Sequence, residues 1–183
     1  MNPELLEYVR NLPASSHVLF LYESEEDKRT VLFTYVQDRI RRGELVSYCV
    51  HVGEVWEIEQ AMRDFGVDVD MGKRKGLLEV FKFDPKIVEA TIKIPAREIL
   101  KRIYEAKGRR TMSLISDNSL PAWPPEKLLE CERSHGRRME VPVTFICAYP
   151  SSEMCKIWNG EYIMEMLKTH GHGIFPGIAL PLG

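Results

Sequence analysis

Residues 17–42, HVLFLYESEEDKRTVLFTYVQDRIRR, constrain the fold of this chain more than any other stretch. They open with an apolar run at 18–22, the length and character of a strand buried on both faces. A polar turn follows at 23–27. Val31, Leu32, Tyr35, Val36 and Ile40 then recur three or four residues apart, laying one apolar stripe along a helix. Strand, tight turn and helix form the opening unit of a parallel α/β sheet, whose first turn commonly holds the ligand.

That turn lacks what a phosphate loop needs. Such loops use glycines so that backbone N–H groups close around the anion, followed by Lys-Ser/Thr. Lys28-Arg29-Thr30 has the form of such an ending, yet no glycine lies between Tyr22 and Thr30. Glu25, Glu26 and Asp27 instead favour a helix N-terminus and would repel a triphosphate. Lys28 is expected to be an exposed charge, so Lys28→Ala is expected to alter stability by no more than ~1 kcal/mol.

The alternation continues along the chain. Strands are predicted at 45–52, 77–83, 111–117 and 142–149. Helices are predicted at 3–11, 54–65 and 126–138, in a segment headed by Pro95, and at 161–170. Residues 66–70 and 119–125 read as loops and 150–152 as a turn; 86–95 fit either a short helix or a linker. The Lys73-Arg74-Lys75 run reads as a solvated turn. Alternating elements with short connections imply one α/β domain over 1–183, a three-layer sandwich of a mostly parallel sheet with helices on both faces. Residues 1–16 form an N-terminal helical extension.

A length of 183 residues suits one domain with a substantial core. A net charge of −2 gives no basic footprint for nucleic acid. No apolar run approaches the ~18 residues of a membrane span. The acidic N-terminus has no continuous apolar segment and does not read as a signal peptide, so a cytoplasmic location is expected. The four cysteines form no C-x-x-C pair, which removes support for a zinc knuckle or a thioredoxin motif. Cys49 and Cys147, inside apolar runs, read as core residues.

In a parallel sheet the C-terminal strand ends converge on one crevice. Placed there are Tyr22, Glu23 and Ser24 after the first strand, His51 after the second, Asp117 after the fourth and Tyr149 after the fifth. Lys28, Arg29 and Thr30 stand at the adjoining helix N-terminus. An apolar strand ending in Asp117 has the form of a Walker B element. An apolar wall with a few such polar groups is the usual form of a ligand site. His17 falls at the opposite strand end, where it caps or packs, and His135 reads as a surface helix residue. His170 and His172 flank Gly171, a spacing that could contribute to a metal site. No cysteine or carboxylate is spaced to complete it, so no metal and no catalytic residue are assigned.

Several motifs together resemble a known family: H-x-x-x-x-Y at 17–22, R-R-G-E at 41–44, F-G-x-D at 65–68, ICAYP at 146–150 and Leu167-x-x-His170. Their order over residues 15–180 resembles the MEDS domain (methanogen/methylotroph DcmR sensory domain), itself similar to KaiC-like and RecA-like ATPase cores. The resemblance implies a RecA-like sheet that has lost its phosphate loop and senses a small molecule without catalysis or a cofactor. The alternative is a KaiC-like protein that binds, or binds and hydrolyses, ATP with Mg²⁺ through Lys28, Thr30 and Asp117. Family members are often joined to DNA-binding or kinase modules, and none is legible here. Action through a separate regulatory protein or a homo-oligomer is therefore expected, with no direct contact to nucleic acid or membrane.

Overall fold

The computed structural model describes residues 2–84, 96–117, 124–157 and 160–182. The first half contains α1 (Pro3–Arg10), β1 (His17–Tyr22), α2 (Glu25–Arg41), β2 (Leu45–Val50), α3 (Val55–Phe65), α4 (Val69–Arg74) and β3 (Leu78–Lys82). The second half contains α5 (Ala96–Ala106), β4 (Met112–Asp117), α6 (Pro125–His135), β5 (Val143–Pro150), α7 (Ser151–Ile157), α8 (Gly160–Thr169), β6 (His172–Phe175) and β7 (Ile178–Pro181). The strands form one seven-stranded sheet in the order β3-β2-β4-β5-β1-β6-β7, parallel except for the β6–β7 pair. This is the expected α/β sandwich. Among the described residues no helix is long and apolar enough to cross a membrane.

The central strands carry apolar residues on both faces because helices cover both. β2 is buried along its whole length, as is β5 up to Pro150. α2 starts where Ser24 accepts a hydrogen bond from the Asp27 N–H, with Glu25, Glu26 and Asp27 in the first turn and Arg39 and Arg41 in the last. Its stripe, Val31, Leu32, Tyr35, Val36 and Ile40, is buried. The Tyr35 hydroxyl reaches Ser113 Oγ on β4 at 2.8 Å, fixing the helix over the sheet.

Three connections differ from expectation. The loop at 66–70 gives way to α4, because the Asp68 side chain caps it by accepting from the Met71 N–H. Lys73 lies at the end of that helix and binds Glu59 at 2.6 Å, so the cationic run is not a free turn. Residues 151–152 begin α7 directly after β5. The C-terminal hairpin was not anticipated: Pro176 and Gly177 (φ +79°) link β6 to β7, the backbone that a type II turn asks of Pro-Gly. The ambiguous segment 86–95 and residues 119–123 of the Trp123 loop lie outside the described residues.

Gly171 enters β6 where the chain passes against another strand of backbone. A Cβ there would stand 2.6 Å from the Arg137 carbonyl oxygen, and the Gly171 N–H donates to the His17 carbonyl at 2.9 Å. Neither backbone moves cheaply. Gly171→Ala is expected to lower stability by about 1–3 kcal/mol, read as a lower urea midpoint at unchanged slope.

Candidate functional site

Strand parity divides the sheet into two chemically distinct faces. Asp117 pairs in register with Val50 and Ala148, and Tyr22 with Pro150, so Asp117 and Tyr22 share the α2 face. Only Glu23 and Ser24 separate β1 from α2, which brings Lys28, one turn into the helix, over the strand ends.

There Lys28 Nζ lies 3.1 Å from Asp117 Oδ1, 2.9 Å from Asp117 Oδ2 and 2.9 Å from Glu25 Oε2. It also stands 5.3 Å from the centre of the Tyr22 ring. The Tyr48 hydroxyl donates to Asp117 Oδ2 at 3.1 Å. Lys28 and Asp117 side chains are each 8% exposed, so the expectation of an exposed Lys28 is overturned. Tight packing under the short turn draws the aminobutyl chain inward. Burial lifts the Asp117 carboxyl above its ordinary value, although Lys28 pulls the other way. Burial likewise raises the Tyr22 and Tyr48 hydroxyls, with the Asp117 charge adding to it.

The other expected residues divide. Ser24 caps α2, and the Thr30 hydroxyl donates back to the Glu26 carbonyl at 2.8 Å. Glu23 and Arg29 are exposed at the rim. His51 Nε2 lies 3.0 Å from Ser116 Oγ and its ring stacks on Phe83 at 4.0 Å. Tyr149 is one residue out of parity with Tyr22 and points to the opposite face, where its hydroxyl donates to Glu132. Of the residues that complete the Lys28 cluster, Tyr48 was not singled out from sequence, and Glu25 was read there as an acid of the helix N-terminus rather than as a partner of Lys28. Beside the turn, a cavity of about 170 Å³ is lined by Leu5, Phe20, Tyr22, Val31 and Phe175 with Glu23 and Asp27 at its polar end.

His51 carries a pH dependence. Burial pushes its imidazole down from 6.5 to about 4, with no charged group contributing. Between those values the unfolded chain takes up a proton that the folded chain refuses, so stability falls as pH falls. Relative to His51→Gln, the wild type is expected to lose roughly 3 kcal/mol between pH 6.5 and 4 and nothing above pH 7. Chemical denaturation of both proteins across that range checks this.

The opposite face buries a polar group of its own. His17, first residue of β1, is fully buried with His170, Cys147 and Glu132. His135 is buried beside them rather than lying on the helix surface, its ring 5.2 Å from that of His17. Burial lowers the His135 imidazole to about 3. Burial would lift the Glu132 carboxyl, but the His17 and His170 rings outweigh it and hold it well below the usual carboxylate range. A signal for this group exists in the sequence: Leu128, Leu129, Glu132 and His135 share the inward stripe of α6, where a carboxylate and an imidazole are out of place. His172, by contrast, binds the Tyr8 hydroxyl at 2.7 Å.

The fold is shared with solved RecA-like proteins. A KaiC-like protein from the hyperthermophilic archaeon Pyrococcus horikoshii superposes with a TM-score of 0.61 at 17% identity, over 89% of this chain and 71% of that one. The flagellar accessory protein FlaH from Methanocaldococcus jannaschii superposes with a TM-score of 0.59 at 11% identity, over 94% of this chain and 76% of that one. No curated protein matches the chain. The description of the MEthanogen/methylotroph, DcmR Sensory domain matches residues 16–171, taking in both the Lys28 cluster and the buried histidines, and the chain belongs to this MEDS family.

Proposed function

We propose that the chain is a non-catalytic sensor of a small molecule, built on a RecA-like core whose phosphate-binding turn is out of use. The observation that carries this reading is the state of Lys28. It is buried and held by Asp117 and Glu25, so its charge is neutralised where an anion would need it. A connection of two residues also leaves little backbone to wrap a phosphate. The adjoining cavity of about 170 Å³ supports a compact, mostly apolar ligand; cavities of about 150 Å³ accept molecules of benzene size. The signal passes to a separate protein chain or a second copy, with no cofactor.

Ligand binding to the folded state raises its melting temperature by mass action. No shift is expected with millimolar ATP–Mg²⁺ or ADP–Mg²⁺, and a shift is expected with at least one member of a panel of small, weakly polar compounds. Leu5→Phe, which fills the cavity, is expected to abolish it. Stabilisation by ATP–Mg²⁺ with release of phosphate would establish the nucleotide reading instead.

A further inference from the structure

We propose that His17, Glu132, Cys147 and His170 form a closed tetrahedral site for one borderline divalent cation of the zinc class. The site lies on the face of the sheet opposite Lys28 and is independent of the sensing reading. Its four ligating atoms lie within 4.8 Å of one another, all buried. Glu132 Oε2 is 3.1 Å from His17 Nε2, 3.5 Å from His170 Nε2 and 3.5 Å from Cys147 Sγ. Cys147 Sγ is 3.6 Å from His17 Nε2. Nitrogen, oxygen and sulfur ligands at zinc bond lengths stand about 3.3–3.7 Å apart along the edges of a tetrahedron. Three of the four separations just given fall in that range, the His17–Glu132 one is shorter at 3.1 Å, and every pair lies within 4.8 Å.

The hydrogens point the same way. His17 Nδ1 faces the carbonyls of Gly136 at 2.9 Å and Thr169 at 3.1 Å, so it donates. His170 Nδ1 faces the Met166 carbonyl at 2.7 Å and Thr169 Oγ1 at 2.9 Å. The Thr169 hydroxyl gives its own proton to Met166 O at 2.8 Å, so it accepts from His170. A neutral imidazole with its hydrogen on Nδ1 turns a lone pair inward at Nε2. Glu132 Oε1 takes the Tyr149 hydroxyl proton, leaving Oε2 aimed at both rings. Backbone carbonyls on the far ring nitrogens and a hydroxyl on the far carboxylate oxygen are the outer contacts that orient metal ligands.

Without a cation, a proton on His17 Nε2 serves Glu132 Oε2 alone, at 3.1 Å. His170 Nε2, fully buried, has no hydrogen-bond partner among the described residues. Such an atom costs free energy unless something satisfies it. The ligands come from β1, α6, β5 and the residue joining α8 to β6, so one ion would pin two helices to the sheet. Closed sites with four protein ligands are structural rather than catalytic.

Because the site is sealed, loading accompanies folding. The chain is unfolded with chelator and reductant, then refolded with or without Co²⁺ or Zn²⁺ and desalted. Expected are one retained ion per chain, tetrahedral d–d absorption and a thiolate-to-cobalt band for Co²⁺. The Zn²⁺ form is expected to melt roughly 5 °C or more above the metal-free form. Cys147→Ser is expected to lose the thiolate band and Cys131→Ser to keep it. No retained ion, or a band that survives Cys147→Ser, overturns the site and leaves a His17–Glu132 ion pair. Should Cys147→Ser fail to refold, His170→Gln decides: at least tenfold weaker retention supports the site, and unchanged retention overturns it. The ATP result bears on neither outcome.

Discussion

Asp117→Ala is expected to lower stability by about 3–5 kcal/mol, because it leaves the Lys28 ammonium buried with its charge unmatched. The remaining partner, Glu25, has a side chain 61% exposed and is screened by water. The Tyr22 ring offers only a weak cation–π contact. Lys28→Ala is expected to cost a comparable amount, since Asp117 would keep only the Tyr48 hydroxyl. The intact pair is nonetheless expected to contribute little net stability, as buried ion pairs commonly do. The raised Asp117 carboxyl shows that burial costs more than Lys28 returns. Acidification therefore protonates Asp117 earlier in the folded than in the unfolded chain, and this group favours folding more as pH falls. Replacing both residues with apolar ones, Lys28→Met with Asp117→Leu, is expected to restore wild-type stability or exceed it. Urea denaturation of the three variants beside the wild type measures these effects, and single variants that stay within 1 kcal/mol of wild type would return Lys28 to the exposed surface.

How far the sequence carried depends on whether its signals were local. β1, α2, β2, β4 and β5 were legible because each is a continuous buried run or a clean helical stripe. The β6–β7 hairpin was not, since strands of four residues carry little periodicity, although Pro-Gly marks its turn. The turn after β1 was located, and Lys28 and Asp117 do meet there. Their burial was not legible, because it follows from Tyr48 and Tyr22 filling the space around them. Tyr149 shows the limit of strand ends as a guide: a one-residue step in register sends a side chain through the sheet. The histidine cluster joins positions 17, 132, 147 and 170, and no sequence spacing reveals that register puts Cys147 opposite Leu19, two residues from His17.

Glu132→Ala, measured in chelator, is expected to cost a further large amount, about 3–5 kcal/mol. The carboxylate is fully enclosed and accepts from the Tyr149 hydroxyl on one oxygen while facing His17 at 3.1 Å on the other. Truncation leaves that hydroxyl, the Cys147 thiol and two imidazoles around an empty volume, and none can turn to solvent. The loss has two parts, which a second pair of variants separates. Tyr149→Phe deletes one donor without opening a cavity and is expected to cost about 1–2 kcal/mol. In the Glu132→Ala background the same change is expected to cost less, because the hydroxyl has already lost its carboxylate acceptor; the coupling between the two positions measures the buried Tyr149–Glu132 hydrogen bond. Glu132→Gln keeps the shape and the Tyr149 acceptor but removes the charge, and its cost should fall between the other two. Equal costs for the Gln and Ala variants would mean that the negative charge, rather than the packing, holds α6 against β1 and β5.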